Sequence, residues 1–270
     1  MRPNERNAIV SLGEITILIS GFNQSCVELT LEFRQLSARV IILPRVELGA
    51  PADYEALDES IANLFGYDWI VFKNVPAVDY FLRRFRELKH ETSELDSLRI
   101  CALGETTLRR LEESHIHVDL FVDSNANEVL ETFENYLGGR EALRGMNFLI
   151  PNNGRRPSFS ESFEEAGARA DYVAAYRILQ DNVELGRIRA LLFGGGIDAI
   201  LLTNLEGVES FANLVAAEDM SWIPPAIATF CLGEGTAKAA AGFGFKAEIT
   251  TQNDAAVAIS RALAGYSARQ

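Results

Sequence analysis

A chain of 270 residues, 48% of them hydrophobic, is long enough for one large core or two modest ones, and its charged residues break every apolar run before it reaches membrane-spanning length. A formal charge of −13 excludes general affinity for nucleic acid or an anionic membrane, since either needs a basic face to release counterions. Cys26, Cys101 and Cys231 are far apart and in no CxxC spacing, so neither a zinc site nor a redox pair is expected, and a reducing cytoplasm fits best.

The opening MRPNERNAIVSLGE has charge at both ends and lacks the apolar stretch and cleavage site of a secretory signal, so export is not expected. ITILIS from Ile15 and RVIIL from Arg39 are apolar runs of strand length. YDWIVFKNVPAVDYF from Tyr67 combines a strand, IVF, with a helix whose Val78, Phe81, Leu82 and Phe85 fall at i, i+3, i+4 and i+7, and Asn74 is placed to cap it. LRICALG ends a strand on Gly104, and Thr107 leads into the next helix. His115 and His117 could share a strand face, yet no third ligand is near, and no metal site is expected. VDLFV from Val118, NFLIP from Asn147 and ADYVAAY from Ala170 are further strands. Gly194 to Gly196 precede a strand rather than joining strand to helix, so they form a turn and not a phosphate loop. IDAILLTNLEGVESF from Ile197 is another strand and helix, with Asn204 as cap and Val208, Phe211 and Val215 as the apolar stripe; AIATFCLG then ends on Gly233, followed by Thr236.

The second half repeats the first. YDWIVFKNVPAVDYF and IDAILLTNLEGVESF share Asp68 with Asp198, Ile70 with Ile200, Asn74 with Asn204, Val78 with Val208 and Phe81 with Phe211. At nearly the same register CALGETT from Cys101 matches CLGEGTA from Cys231, and SNANEVL from Ser124 matches TQNDAAV from Thr251. Alternating strands and helices predict α/β architecture with parallel sheets and right-handed crossovers. Because Ile15 to Leu43 precede the first copy, the economical layout is a discontinuous domain of 1–44 and 177–270 around an inserted domain of 49–172, with connectors at about 44–48 and 172–177. Open parallel sheets bind ligands beyond the carboxyl ends of their strands, which predicts a site in the cleft between the domains.

In order and duplication, FKNVPAVDYF, LLTNLEGVESF, CLGEGTAKAA and AAYRIL resemble the uroporphyrinogen-III synthase family, from about Ile15 to Leu263. The resemblance implies two flavodoxin-like domains joined by a two-stranded linker. It further implies a cytoplasmic, monomeric hydro-lyase of porphyrin and heme biosynthesis that needs no cofactor. Its substrate would be hydroxymethylbilane, a linear tetrapyrrole bearing eight carboxylates. The terminal hydroxyl leaves as water, and the ring closes to uroporphyrinogen III through a spiro intermediate that inverts the last pyrrole. The chain departs from the family at Lys73 and Asn74, where Thr and Ser are usual, at Asn204, and in ISGFNQS, where Thr-Arg is common at the first strand's end. A synthase-like binding or sensor protein is the alternative that these departures leave open.

An acidic protein must meet such a polyanion with local donors. Helix N-termini after Asn74, Gly104, Asn204 and Gly233 supply N–H groups, and Thr107, Thr203 and Thr236 supply hydroxyls. Lys73, with Arg155 and Arg156 in PNNGRRPSF, supplies formal charge. Each also has an ordinary use, as a helix cap or loop surface. Tyr176 matches the family's tyrosine and precedes Arg177; it either assists the departing hydroxyl as a weak acid or packs beneath the site.

Overall fold

The computed structural model describes residues 12–122, 129–157, 159–179, 183–216 and 227–267. The opening segment through Ser11 and the Ser124–Glu128 part of the third repeat block lie outside them. From the N-terminus the elements are β1 (Thr16–Ser20), α1 (Gln24–Gln35), β2 (Arg39–Leu43), β3 (Leu48–Gly49), α2 (Glu55–Ala62), β4 (Trp69–Phe72), α3 (Val75–Glu87) and β5 (Arg99–Leu103). There follow α4 (Glu105–Glu113), β6 (Leu120–Val122), α5 (Val129–Leu137), β7 (Asn147–Asn152), α6 (Ser160–Glu165), β8 (Arg169–Ala174) and β9 (Arg177–Ile178). The last are α7 (Val183–Phe193), β10 (Ala199–Leu202), α8 (Leu205–Ala216), β11 (Ala228–Leu232), α9 (Gly233–Gly242), β12 (Glu248–Thr250) and α10 (Ala255–Ser267).

These divide into two compact units, Met1–Val46 with Asp181–Ala212 and Ile223–Gln270, and Glu47–Gln180 with Asn213–Trp222. Each holds a five-stranded, all-parallel sheet. In the first unit the order is β12-β11-β10-β1-β2, which in chain order is the flavodoxin-like 2-1-3-4-5. In the second the order is β6-β5-β4-β7-β8, so the chain enters on the middle strand. Each unit is thus a circular permutation of the other, with β7-α6-β8 filling the place of β1-α1-β2. That explains why Ile15 to Leu43 find no counterpart ahead of the first repeat copy.

The identities between the repeat copies have structural jobs. Asp198 accepts the Thr16 N–H at 2.7 Å and Asp68 accepts the Asn147 N–H at 2.8 Å, each fastening its strand to the neighbour that follows it in the sheet. Val78, Phe81, Val208 and Phe211 are fully buried under the sheets. In β4 the pleat sends Trp69 and Val71 to a cluster with Phe133, Phe148 and Phe163, while Ile70 and Phe72 join Phe81, Phe85 and Tyr176 on the opposite face. Burial on both faces is why such strands read as unbroken apolar runs. A two-residue antiparallel ribbon pairs β3 with β9, Leu48 opposite Ile178 and Gly49 opposite Arg177, and Arg177 Nε donates to the Ala50 carbonyl at 3.1 Å. The short β12 is a strand that sequence periodicity did not single out.

Candidate functional site

In the first unit the turns after β10 and β11 lie side by side. Asn204 caps α8, its Oδ1 accepting the Gly207 N–H at 2.9 Å. The turn is pinned to β1: Ser20 Oγ donates to the Gly207 carbonyl at 2.7 Å, and a Cβ on Gly207 would sit 2.2 Å from the Ser20 carbonyl oxygen. Thr203 Oγ1 lies 3.3 Å from the Ser20 carbonyl and 3.2 Å from Asn23 Oδ1, so its one proton serves the turn itself. Gly233 opens α9 at φ 75°, a left-handed conformation that glycine adopts without strain. A groove of about 640 Å³ runs between the two turns and brings together Thr203, Asn204 and Thr236, with Leu205, Gly235 and Lys238. Thr236 is only 8% exposed, yet its hydroxyl makes no hydrogen bond among the described residues.

The second unit repeats the plan with different chemistry. Asn74 caps α3, accepting the Ala77 N–H at 2.9 Å, while its Nδ2 donates to the Tyr176 hydroxyl at 3.0 Å. Tyr176 is fully enclosed, its ring 5.8 Å from that of Tyr80. Lys73, where the first unit has Thr203, is buried with Nζ 5.5 Å from the centre of the Phe159 ring. Gly104 takes φ 80° at the start of α4, and Thr107 is 1% exposed, its hydroxyl, like that of Thr236, without a hydrogen bond among the described residues. The arginine turn follows β7, whose Asn152 carbonyl accepts the Tyr176 N–H at 3.3 Å. Arg156 bonds Ser160 Oγ at 3.1 Å and Glu164 at 2.7 Å, and the Arg155 backbone closes the turn through Asn152 and Asn153.

The structure therefore gathers Thr203, Asn204 and Thr236 in one groove and joins Asn74 to Tyr176, while Arg156 is committed to its own ion pair. Two residues escaped the sequence reading. Asn23 caps α1 through the Cys26 N–H at 3.1 Å and meets Thr203; its place just after a strand, like that of Asn74 and Asn204, was the available signal. Lys238 carried no local signal. No cysteine offers a nucleophile: burial pushes the Cys26 and Cys101 thiols up and that of Cys231 to about 11. Among the described residues no group of three His, Cys, Asp or Glu side chains is placed to hold a metal ion, and no helix is long and apolar enough to cross a membrane.

The family model for uroporphyrinogen-III synthase HemD matches residues 27–259. The uroporphyrinogen-III synthase of Synechococcus elongatus is 24% identical over 187 residues, 69% of each chain. The structure of Thermus thermophilus uroporphyrinogen III synthase aligns over 92% of this chain and 97% of that one, with 17% identity and a TM-score of 0.50, a likeness of fold.

Proposed function

The chain belongs to the uroporphyrinogen-III synthase family, and from that premise we propose that it converts hydroxymethylbilane to uroporphyrinogen III, losing water and inverting the last pyrrole. The observation that carries this reading is the family match across 27–259, most of the chain. The groove supports it: two helix N-termini, a threonine hydroxyl without a hydrogen bond among the described residues and a lysine line it, a combination suited to a carboxylate.

The reaction asks for control of shape. Electron-rich pyrroles expel the terminal hydroxyl readily, and the free substrate closes by itself to the uninverted isomer. The protein must hold the ends of a flexible chain so that the new bond forms at the substituted carbon of the last ring. Contacts to carboxylates remote from that carbon supply the energy. On this reading the α4 and α9 N-termini, with Thr107 and Thr236, receive carboxylates. Asn204 holds the start of α8 in place, and Asn74 does so for α3. Tyr176, enclosed against Asn74, acts as a positioning residue that holds that turn rather than as an acid touching the substrate. The enzyme works in the cytoplasm as a monomeric hydro-lyase, without metal or organic cofactor.

The test is to supply freshly made hydroxymethylbilane and resolve the oxidised products chromatographically. Type III uroporphyrin should accumulate ahead of the spontaneous type I isomer. Type I alone, formed at the protein-free rate, would overturn the proposal.

A further inference from the structure

Among the residues named along the first-unit groove, Lys238 carries the only formal charge. It lies on α9 one turn after Gly235, so both point to the same helix face, and the space where a Gly235 side chain would stand is open. Glu234 stands four residues before Lys238 on the same helix, yet Lys238 makes no ion pair or hydrogen bond among the described residues. Many arginines of the chain are committed: Arg45 to Glu206 at 3.0 Å, Arg84 to Asp58 at 2.6 Å and Arg156 to Glu164 at 2.7 Å. The second observation is Thr236, more than nine-tenths buried, lining the same groove with a hydroxyl that no described residue satisfies. A threonine hydroxyl that opens on a groove and serves no described neighbour is able to donate to a ligand there. A cation that lines the same groove as two helix N-termini favours an anion there.

We propose that Lys238 is a further substrate-binding residue, its ammonium taking one acetate or propionate arm of the tetrapyrrole in the groove that Thr236 also lines. The inference rests on the function proposed above and adds a residue to which the family resemblance assigned no role.

The test uses the full chain with Lys238→Gln, Lys238→Arg and, as a control for net charge, Lys246→Gln, an exposed lysine outside the groove. Two quantities are read: the KM and kcat for hydroxymethylbilane, and the Kd for uroporphyrin by fluorescence titration. Glutamine is a good helix former at this exposed position, so the variant should fold. Lys238→Gln should raise KM and Kd about 3- to 10-fold, between the effect of an exposed ion pair and that of a shielded charge-assisted hydrogen bond, and should alter kcat less. Lys238→Arg should stay within about twofold of the parent, and Lys246→Gln should change neither quantity by as much. A Kd unchanged in Lys238→Gln, or an equal rise in Lys246→Gln, overturns the assignment. If the parent protein binds uroporphyrin but makes no type III product, the proposed function falls while the titration still decides Lys238.

Discussion

At Tyr176 the phenol is both the family's tyrosine and the acceptor for Asn74 Nδ2. Tyr176→Phe removes that oxygen and should cost about 1 kcal/mol of stability, read by denaturant melts. Type III formation should fall by less than about 10²-fold, because departure of the hydroxyl is already easy. A folded variant that binds normally but loses about 10⁴-fold of its turnover would make Tyr176 the central acid. The two groove threonines should separate cleanly. Thr203→Val breaks contacts to Ser20 and Asn23 and should lower stability by about 1 kcal/mol, whereas the Thr236 hydroxyl bonds no described residue, so Thr236→Val should leave the melting temperature unchanged and raise KM. Equal melting losses in both would show that Thr236 is a cap and not a ligand. The thiols set a pH limit. Cys231 in the folded chain titrates near 11 against an ordinary 9.0, so the unfolded chain ionises first. Its contribution to stability is intact below about pH 9 and declines as pH rises towards 11, which urea melts at pH 8 and pH 10.5 would reveal.

Among the elements, α8 and α9 begin alike but are held differently. The first turn of α8 is wedged against β1, with Ser20 Oγ on the Gly207 carbonyl. Gly207→Ala would drive a methyl into the Ser20 carbonyl and should cost about 1–3 kcal/mol or more. Gly235 in α9 faces open space, so Gly235→Ala should stabilise the helix by about 0.5–1 kcal/mol. Thermal melts that ranked the two the other way would contradict this account of the turns. Sequence periodicity located these helices because their inputs are local: an Asn cap, then apolar residues at helical spacing. It could not reveal the wedge, whose partners are 187 residues apart in the chain.

For the whole molecule, the reaction as proposed draws on positioning and helix-end electrostatics, so protein stripped with chelator should retain all type III synthesis. Recovery of lost activity on adding a metal salt would show that a metal takes part.

The duplication was readable from sequence because Asp68 and Asp198, Asn74 and Asn204, and Phe81 and Phe211 perform the same task in each unit, and a shared task with local causes leaves the same residue at the same spacing. Parallel sheets followed from the alternation of buried strands and amphipathic helices. Only the tertiary structure decided that the second unit is entered on its middle strand, because strand order is set by which sheet edges pair over long separations and leaves no periodic trace. It alone also brought Lys238 beside Thr203 and Thr236 and enclosed Tyr176 against Asn74. Exposure and proximity arise when distant segments pack, and no residue carries them in its own neighbourhood.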